Sequence, residues 1–546
     1  MSAGTTTTTT PAVPPSADGP VDASRALARR GARAFRWAWA VLLLLATVWG
    51  LSNPLMASPD EPAHVVKAAS VVRGQLLGPD AEGGQAVQVP YFYQLVTAYP
   101  TCYMFDPNAT GECDPVGPQA NDSPTTAVTP AGRYNPLYYA VVGLPTLLPP
   151  GDGVLYAMRL LSAALCTFLL ALGVRALAEQ PRPAWGALGV AAALTPMTVF
   201  LTSTVNPAAV EIAAAFALWC QLLTLLRHPD AALTARRMAW VAVSATFLVN
   251  ARGLSLLYCA VIVVVVLLVS RWQTFLDVLR TRRTWPSFAV IVVACLGAAG
   301  WVFGTNSLGS GGTERFPDLT FLGAAKVSVL DTNHYVLNMV GQFGWMDTHL
   351  EPWVHMAFAA GAGVVVLLGL AAGTWRERAA LVLLAATTFA LPILIHASQA
   401  RFLGIIWQGR YILPVAVGLP LLAAAVLVRR LHVAVPRDLA VSLATVVAVV
   451  VMAVQGFAFG ENLHRYVNGE DGGWFSLAPD AWLPPVPLGL LIPLALVAVL
   501  AYGAGLAALA RVDGRGAAGD VAEDDDATAT GTGTGTDHDP AVAQAR

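Results

Sequence analysis

Asp60, Glu61, His64 and Lys67 crowd into one short stretch, NPLMASPDEPAHVVKAASVVRG (residues 53–74), directly after the first strongly apolar run of the chain. Charged groups where a membrane helix meets water must be solvated or paired. A carboxylate placed there can also act as a general base, and a nearby imidazole or ammonium can orient it or tune it. If the stretch is helical, Asp60, His64 and Lys67 stand at i, i+4 and i+7 and share one stripe. Glu61, Val65, Ala68 and Val72 line the adjacent, mostly apolar stripe. Ser58-Pro59-Asp60-Glu61 reads as a helix start, with Ser58 as N-cap, Pro59 first in the helix and Glu61 as the reciprocal acid of a capping box. Gly74 is a natural stop. That assigns Glu61 to the helix start and leaves Asp60 to face a cleft. A merely solvated helix face would show the same pattern, so both readings stand.

Cations able to meet such an acid lie elsewhere. Arg410 and Arg401 occur in SQARFLGIIWQGRYILPVAV (residues 398–417), and Arg133 opens AGRYNPLYYAVVGLP (131–145). Arginine forks around phosphate oxygens, so each is a candidate for a lipid phosphate. The plainer alternatives are an arginine snorkelling to the interface and an interfacial helix with Tyr134, Tyr138 and Tyr139 at headgroup level. LNMVGQFGWMDTHLEPW (337–353) adds Asp347, a further substrate-binding candidate, with His349 and Glu351. The spacing of His334, His349 and His355 matches no standard zinc pattern, so no metal ligand is assigned, although a divalent metal between paired acids stays open. Asn206 and Arg252 are further candidates for polar groups lining a cleft. Phosphate-binding loops, serine elbows and dinucleotide fingerprints are absent, so cytosolic nucleotide chemistry is unsupported.

These residues must be positioned by a membrane bundle. Of the 546 residues 56% are hydrophobic and 12% charged, about half the roughly 25% charged residues of soluble domains. An all-α integral membrane protein is therefore expected. The net charge of −2 gives no reason to expect a nucleic acid partner. Twelve apolar runs are candidate spans: 37–51, 154–176, 184–204, 207–226, 238–250, 254–270, 286–304, 354–373, 379–397, 408–428, 439–459 and 487–510. The fifth is too short to cross alone and is expected to pair with the sixth as a broken hairpin. Every alternate connection carries arginine, among them RALARRGARAFR, RHPDAALTARR and WRER. The positive-inside rule then puts those connections and both termini in the cytoplasm, with the chain in the plasma membrane. Residues 1–35 and the acidic 511–546 are expected to be disordered tails flanking a membrane domain of 36–510. Two long outer loops, about 52–153 and 305–353, should hold short helices that cap the bundle. Cys102 and Cys113 fall in the first, an oxidising setting in which a disulfide is expected, with two free thiols as the alternative. Cys166, Cys220, Cys259 and Cys295 fall in apolar spans and read as packing residues.

NPLMASPDEPAHVVKAASVVRG, RYNPLYYAVVGLP, TSTVNPAAVEIA, GQFGWMD and QGRYILPV, in this order, resemble the bacterial membrane family labelled domain of unknown function 2142. The resemblance covers most of residues 37–510. It implies a likeness to the GT-C glycosyltransferases, polytopic enzymes that use polyprenyl-phosphate sugars at the outer membrane face. Their first outer loop carries an acidic motif, to which Asp60 and Glu61 correspond. The expected activity is transfer of a sugar from a polyprenyl-phosphate carrier to an envelope glycan, lipid or protein. Asp60, Glu61 and His64 would be catalytic, with Lys67, Arg133, Arg401, Arg410 and Asp347 binding substrate and no cofactor assigned. The alternatives are a transporter or flippase of lipid-linked saccharides and a non-catalytic assembly partner.

Overall fold

A computed structural model of the chain describes residues 20–112, 121–180, 183–309, 314–434 and 436–511. Most of both expected tails, and Cys113, lie outside the described residues. Cys102 is disulfide-bonded, and the four span cysteines are free. Among the described residues nine helices are long and apolar enough to cross a membrane, or 11 if each of two bent pairs is one span. All but one of the expected runs are thereby accounted for.

The exception is the fifth run, which forms Thr234–Val249. At 16 residues it is short for a span, as expected, and it starts four residues before the apolar run with Arg236 and Arg237 within it. Arg237 pairs with Glu179 at one end of the bundle (2.9 Å). At the other end Asn135 donates to the Asn250 side chain (2.9 Å). Its ends thus touch both ends of the bundle, but it does not join the sixth run as the expected broken hairpin, since the bent partner of Ser255–Val269 is Trp272–Arg280. The two bent pairs break where the sequence provides for it. Pro196 and the N-cap Thr195 restart the third span at 73°, and Ser255–Val269 turns by 116° into the amphipathic Trp272–Arg280.

The first helix, Pro20–Leu51, begins inside the expected tail. Pro20 and Asp22 favour a helix start, and the Ala/Arg-rich run that follows has high helix propensity. The central helix Pro207–Arg227 is buried along nearly its whole length. Its alanines let neighbours approach closely, as small residues do in membrane bundles. Gly173 of Asp152–Ala178 meets Phe216 so tightly that a Cβ there would lie 2.5 Å from the ring.

The two ends of the bundle have different charge networks. At one, Glu179 gathers Arg236 and Arg237, and Glu377 gathers Arg227 and Arg429. At the other, Glu61, Asp60 and Asp347 meet Arg159, Arg410 and Arg465. The long loops cap this second end. They contain more than short helices. Strands Asp80–Ala81, Gly84–Pro90 and Pro124–Thr129 form an antiparallel sheet, with Gln85 opposite Thr129 and Val87 opposite Ala127. Gln85, Val87 and Val89 alternate inward along the middle strand. In the second loop Gln342–Phe343 and Thr348–His349 form a small hairpin.

Candidate functional site

The acidic stretch forms the helix Glu61–Val71, but not by the expected capping box. Its N-cap is Asp60, held in the left-handed region at φ 63° without a side-chain cap bond. Aspartate enters this region more readily than most non-glycine residues, though it remains an uncommon backbone state. Met56, Phe105 and Met346 are likewise left-handed. Trp345, next to Met346, donates its indole N–H to the Met56 carbonyl (3.1 Å), and Met346 lines a narrow cavity with Pro59 and Arg410. Much of the strain therefore collects beside Asp60.

Glu61 does not serve the helix start. Its carboxylate is buried and takes a two-pronged bond from Arg159 (2.8 and 2.7 Å) and one from the Val205 backbone N–H (3.1 Å). Arg159 also donates to the carbonyls of Gly50, Asn53 and Pro54. The pair thus ties the exit of the first span to Asp152–Ala178. A buried bidentate pair outcompetes a solvated cap, because each charge would otherwise be stranded.

Asp60 is placed differently. Its side chain is 53% exposed, and Arg410, 4% exposed, donates to it (3.1 Å). The Arg410 guanidinium lies 5.3 Å from the Tyr411 ring centroid. Arg252, in the turn after Thr234–Val249, stands 4.6 Å from the centroid of that ring and 5.9 Å from that of Tyr134. Its own acid, Glu211, is 3.6 Å away and accepts a bond from Ser255 (2.6 Å). His64 is buried one turn from Asp60, stacked on Tyr134 (5.7 Å) with Nδ1 2.9 Å from the Tyr139 hydroxyl. Burial, with help from Arg252 and Arg410 and against Asp60, lowers its imidazole to about 3, so His64 is neutral near pH 7. It can orient Asp60's surroundings but carries no charge there.

Four other expected site residues point elsewhere. Lys67 is buried and donates to the carbonyls of Leu76 (2.6 Å) and Gly132, and burial lowers its ammonium to about 8. Arg133 binds Asp80 beside the sheet (2.8 Å), a hydrogen bond that lowers the Asp80 carboxyl. Arg401 meets Glu314 on the surface (3.5 Å). Asp347 is buried against Arg465 (3.2 Å) and accepts the Phe105 and Trp345 backbone N–H groups (2.9 and 3.1 Å). The constellation that does assemble is Asp60, Arg410, Arg252, His64, Tyr134 and Tyr411. Among the described residues no group of three potential metal ligands gathers.

Sequence reasoning gave no role to Arg159, Arg465 and Tyr411. Two carried a usable signal. Arg159 and Arg465 sit at arginine-poor ends of spans, as Arg410 does, and each meets an outer-loop acid.

The model of a family described as "Predicted membrane protein (DUF2142)" matches residues 43–419, more than half of the chain. No curated protein and no solved structure matches.

Proposed function

The chain belongs to the DUF2142 family of predicted membrane proteins, and from that premise we propose that it transfers a sugar from a polyprenyl-phosphate carrier to an envelope acceptor on the outer face of the plasma membrane. One observation carries this reading. Of the acids paired with the buried arginines Arg159, Arg410 and Arg465, Glu61 and Asp347 are sealed while Asp60 keeps half its side chain open to solvent. A half-open acid on a buried guanidinium, with a second guanidinium across one tyrosine ring, suits a reaction that handles phosphate and moves a proton. The sugar itself is taken from the likeness of the acidic first-loop motif to lipid-dependent glycosyltransferases.

In the proposed reaction the carrier phosphate takes over the Arg410 fork, which releases Asp60. Asp60 accepts the proton of the acceptor hydroxyl as that oxygen bonds to the anomeric carbon. The bond from the anomeric carbon to the phosphate oxygen breaks, and its electron pair leaves with the lipid phosphate. Arg410 and Arg252 stabilise the charge that develops there. Proton transfer of this kind contributes about 10²–10⁴-fold in rate. His64 and Tyr134 hold the helix start, and Glu211 orients Arg252.

The test is mass spectrometry of glycans and lipid carriers in a strain lacking the gene. Loss of an envelope glycan with accumulation of its lipid-phosphosugar is expected. Unchanged glycans and carriers at full growth would contradict the transferase, and accumulation of the carrier on the inner face alone would favour a flippase.

A further inference from the structure

The end of the bundle opposite Asp60 holds a groove of about 570 Å³ between the first helix, the last helix Leu488–Arg511 and Pro183–Ala193. Val41, Leu42, Val190, Leu194 and Leu506 form its apolar walls. Its mouth is basic. Arg30 is fixed there by donating to the carbonyls of Ala178 and Gln180. Arg33, three residues further along the helix, also lines the groove, is exposed, and has no acid partner among the described residues. Trp37 lies one turn deeper and 55% exposed, its indole against Gly505, where a Cβ would come within 3.2 Å of Nε1. Past it Tyr502 lines the groove, its hydroxyl buried and without a hydrogen-bond partner among the described residues.

The order of these groups follows the chemistry of a phospholipid. A 32-residue helix spans about 48 Å at 1.5 Å per residue, against about 30 Å of hydrocarbon. Its first turns therefore lie outside the apolar layer, and Trp37 stands at interface depth. We propose that the groove holds one anionic glycerophospholipid, with Arg33 on its phosphate, Tyr502 donating to an ester carbonyl and one acyl chain along Val41 and Leu42. Charge complementarity selects the headgroup. This helix carries five arginines, Arg25, Arg29, Arg30, Arg33 and Arg36, and one acid, Asp22, with Asp230 and Glu179 packed against it at Ser24 and Gly31, so an anionic head is favoured over a zwitterionic one. This site is independent of sugar transfer.

The full chain, purified in detergent, is offered phosphatidylglycerol or phosphatidylcholine, and bound lipid is counted by native mass spectrometry. Wild type should retain phosphatidylglycerol about fivefold better, the worth of one basic side chain near an anionic surface. Arg33→Gln should erase that preference and Arg33→Lys should keep most of it. Ala38→Trp, which fills the groove, should lower retention of both lipids. Tyr502→Phe should lower both while leaving the headgroup preference intact. Equal retention of the two lipids by wild type, or an unchanged preference in Arg33→Gln, would overturn the proposal. So would stronger retention of polyprenyl phosphate than of phosphatidylglycerol.

Discussion

Two adjacent acids, Asp60 and Glu61, end in opposite environments, and the arginine each one meets is the reason. Glu61 faces Arg159 inside the protein, 1% exposed. Glu61→Gln leaves that guanidinium without its counter-charge, which costs about 3–5 kcal/mol when one partner of a buried pair is removed. The variant should therefore show low membrane abundance and a lowered Tm in detergent. A capping role for Glu61 would instead leave it close to wild type, since glutamine serves that position equally well. His64 gives a pH signature. The folded chain keeps it neutral down to about 3, while the unfolded chain takes up its proton near 6.5. Between those values the unfolded state binds more protons, so stability falls as pH drops from 6.5 towards 3. His64→Gln removes this contribution, and its Tm should fall less than that of wild type across the same window. Parallel curves would mean that His64 titrates in the folded state. Spacing alone grouped Asp60, His64 and Lys67, and the structure keeps Asp60 and His64 near each other while Lys67 turns to the Leu76 and Gly132 carbonyls. Which members meet solvent was not legible from spacing, because that depends on segments far away in sequence, such as the Gly132 carbonyl that holds Lys67.

The elements that place Asp60 are small and held by long-range polar bonds. The hairpin of Gln342–Phe343 and Thr348–His349 turns through Gly344, at φ 59°, and Met346. The Asp347 carboxylate reaches back to the Trp345 N–H and across to Phe105 and Arg465. Arg465 in turn donates to the carbonyls of Tyr103, Asp106 and Ala109. One acid thereby joins both outer loops to the helix Arg437–Asn468. Asp347→Ala should free the 96–112 segment, seen as faster cutting there in limited proteolysis of the purified chain. Cutting at the wild-type rate would show that the loops hold without it. Sequence reading placed Asp347 on substrate because a loop acid has no visible partner in sequence, and Arg465 lies 118 residues away. The strands Gly84–Pro90 and Pro124–Thr129 were legible in principle. Gln85, Val87 and Val89 alternate inward, but a run so short is easily passed over inside a polar loop.

At the scale of the whole molecule, the bundle itself was the most legible part, because about 20 apolar residues are needed to cross a bilayer and few other structures produce such runs. Arginine placement divided the connections into two groups, and arginines from connections expected inside gather on Glu179 and Glu377. What hydropathy could not supply was the pairing at the end where arginine is scarce. There Arg159, Arg410 and Arg465 are each buried against one acid, and of these three acids Asp60 alone is left half open. That opening is the basis of the proposed chemistry, and it can be tested only with donor, acceptor and bilayer assembled around the full chain. The direct measurement is sugar transfer from a radiolabelled polyprenyl-phosphate donor in proteoliposomes, comparing wild type with Asp60→Asn at matched folded abundance. Asparagine keeps the size and still accepts a bond from Arg410 but is no base, so transfer should fall by about 10²-fold or more while the variant stays folded and inserted. Transfer by Asp60→Asn at the wild-type rate would contradict the account.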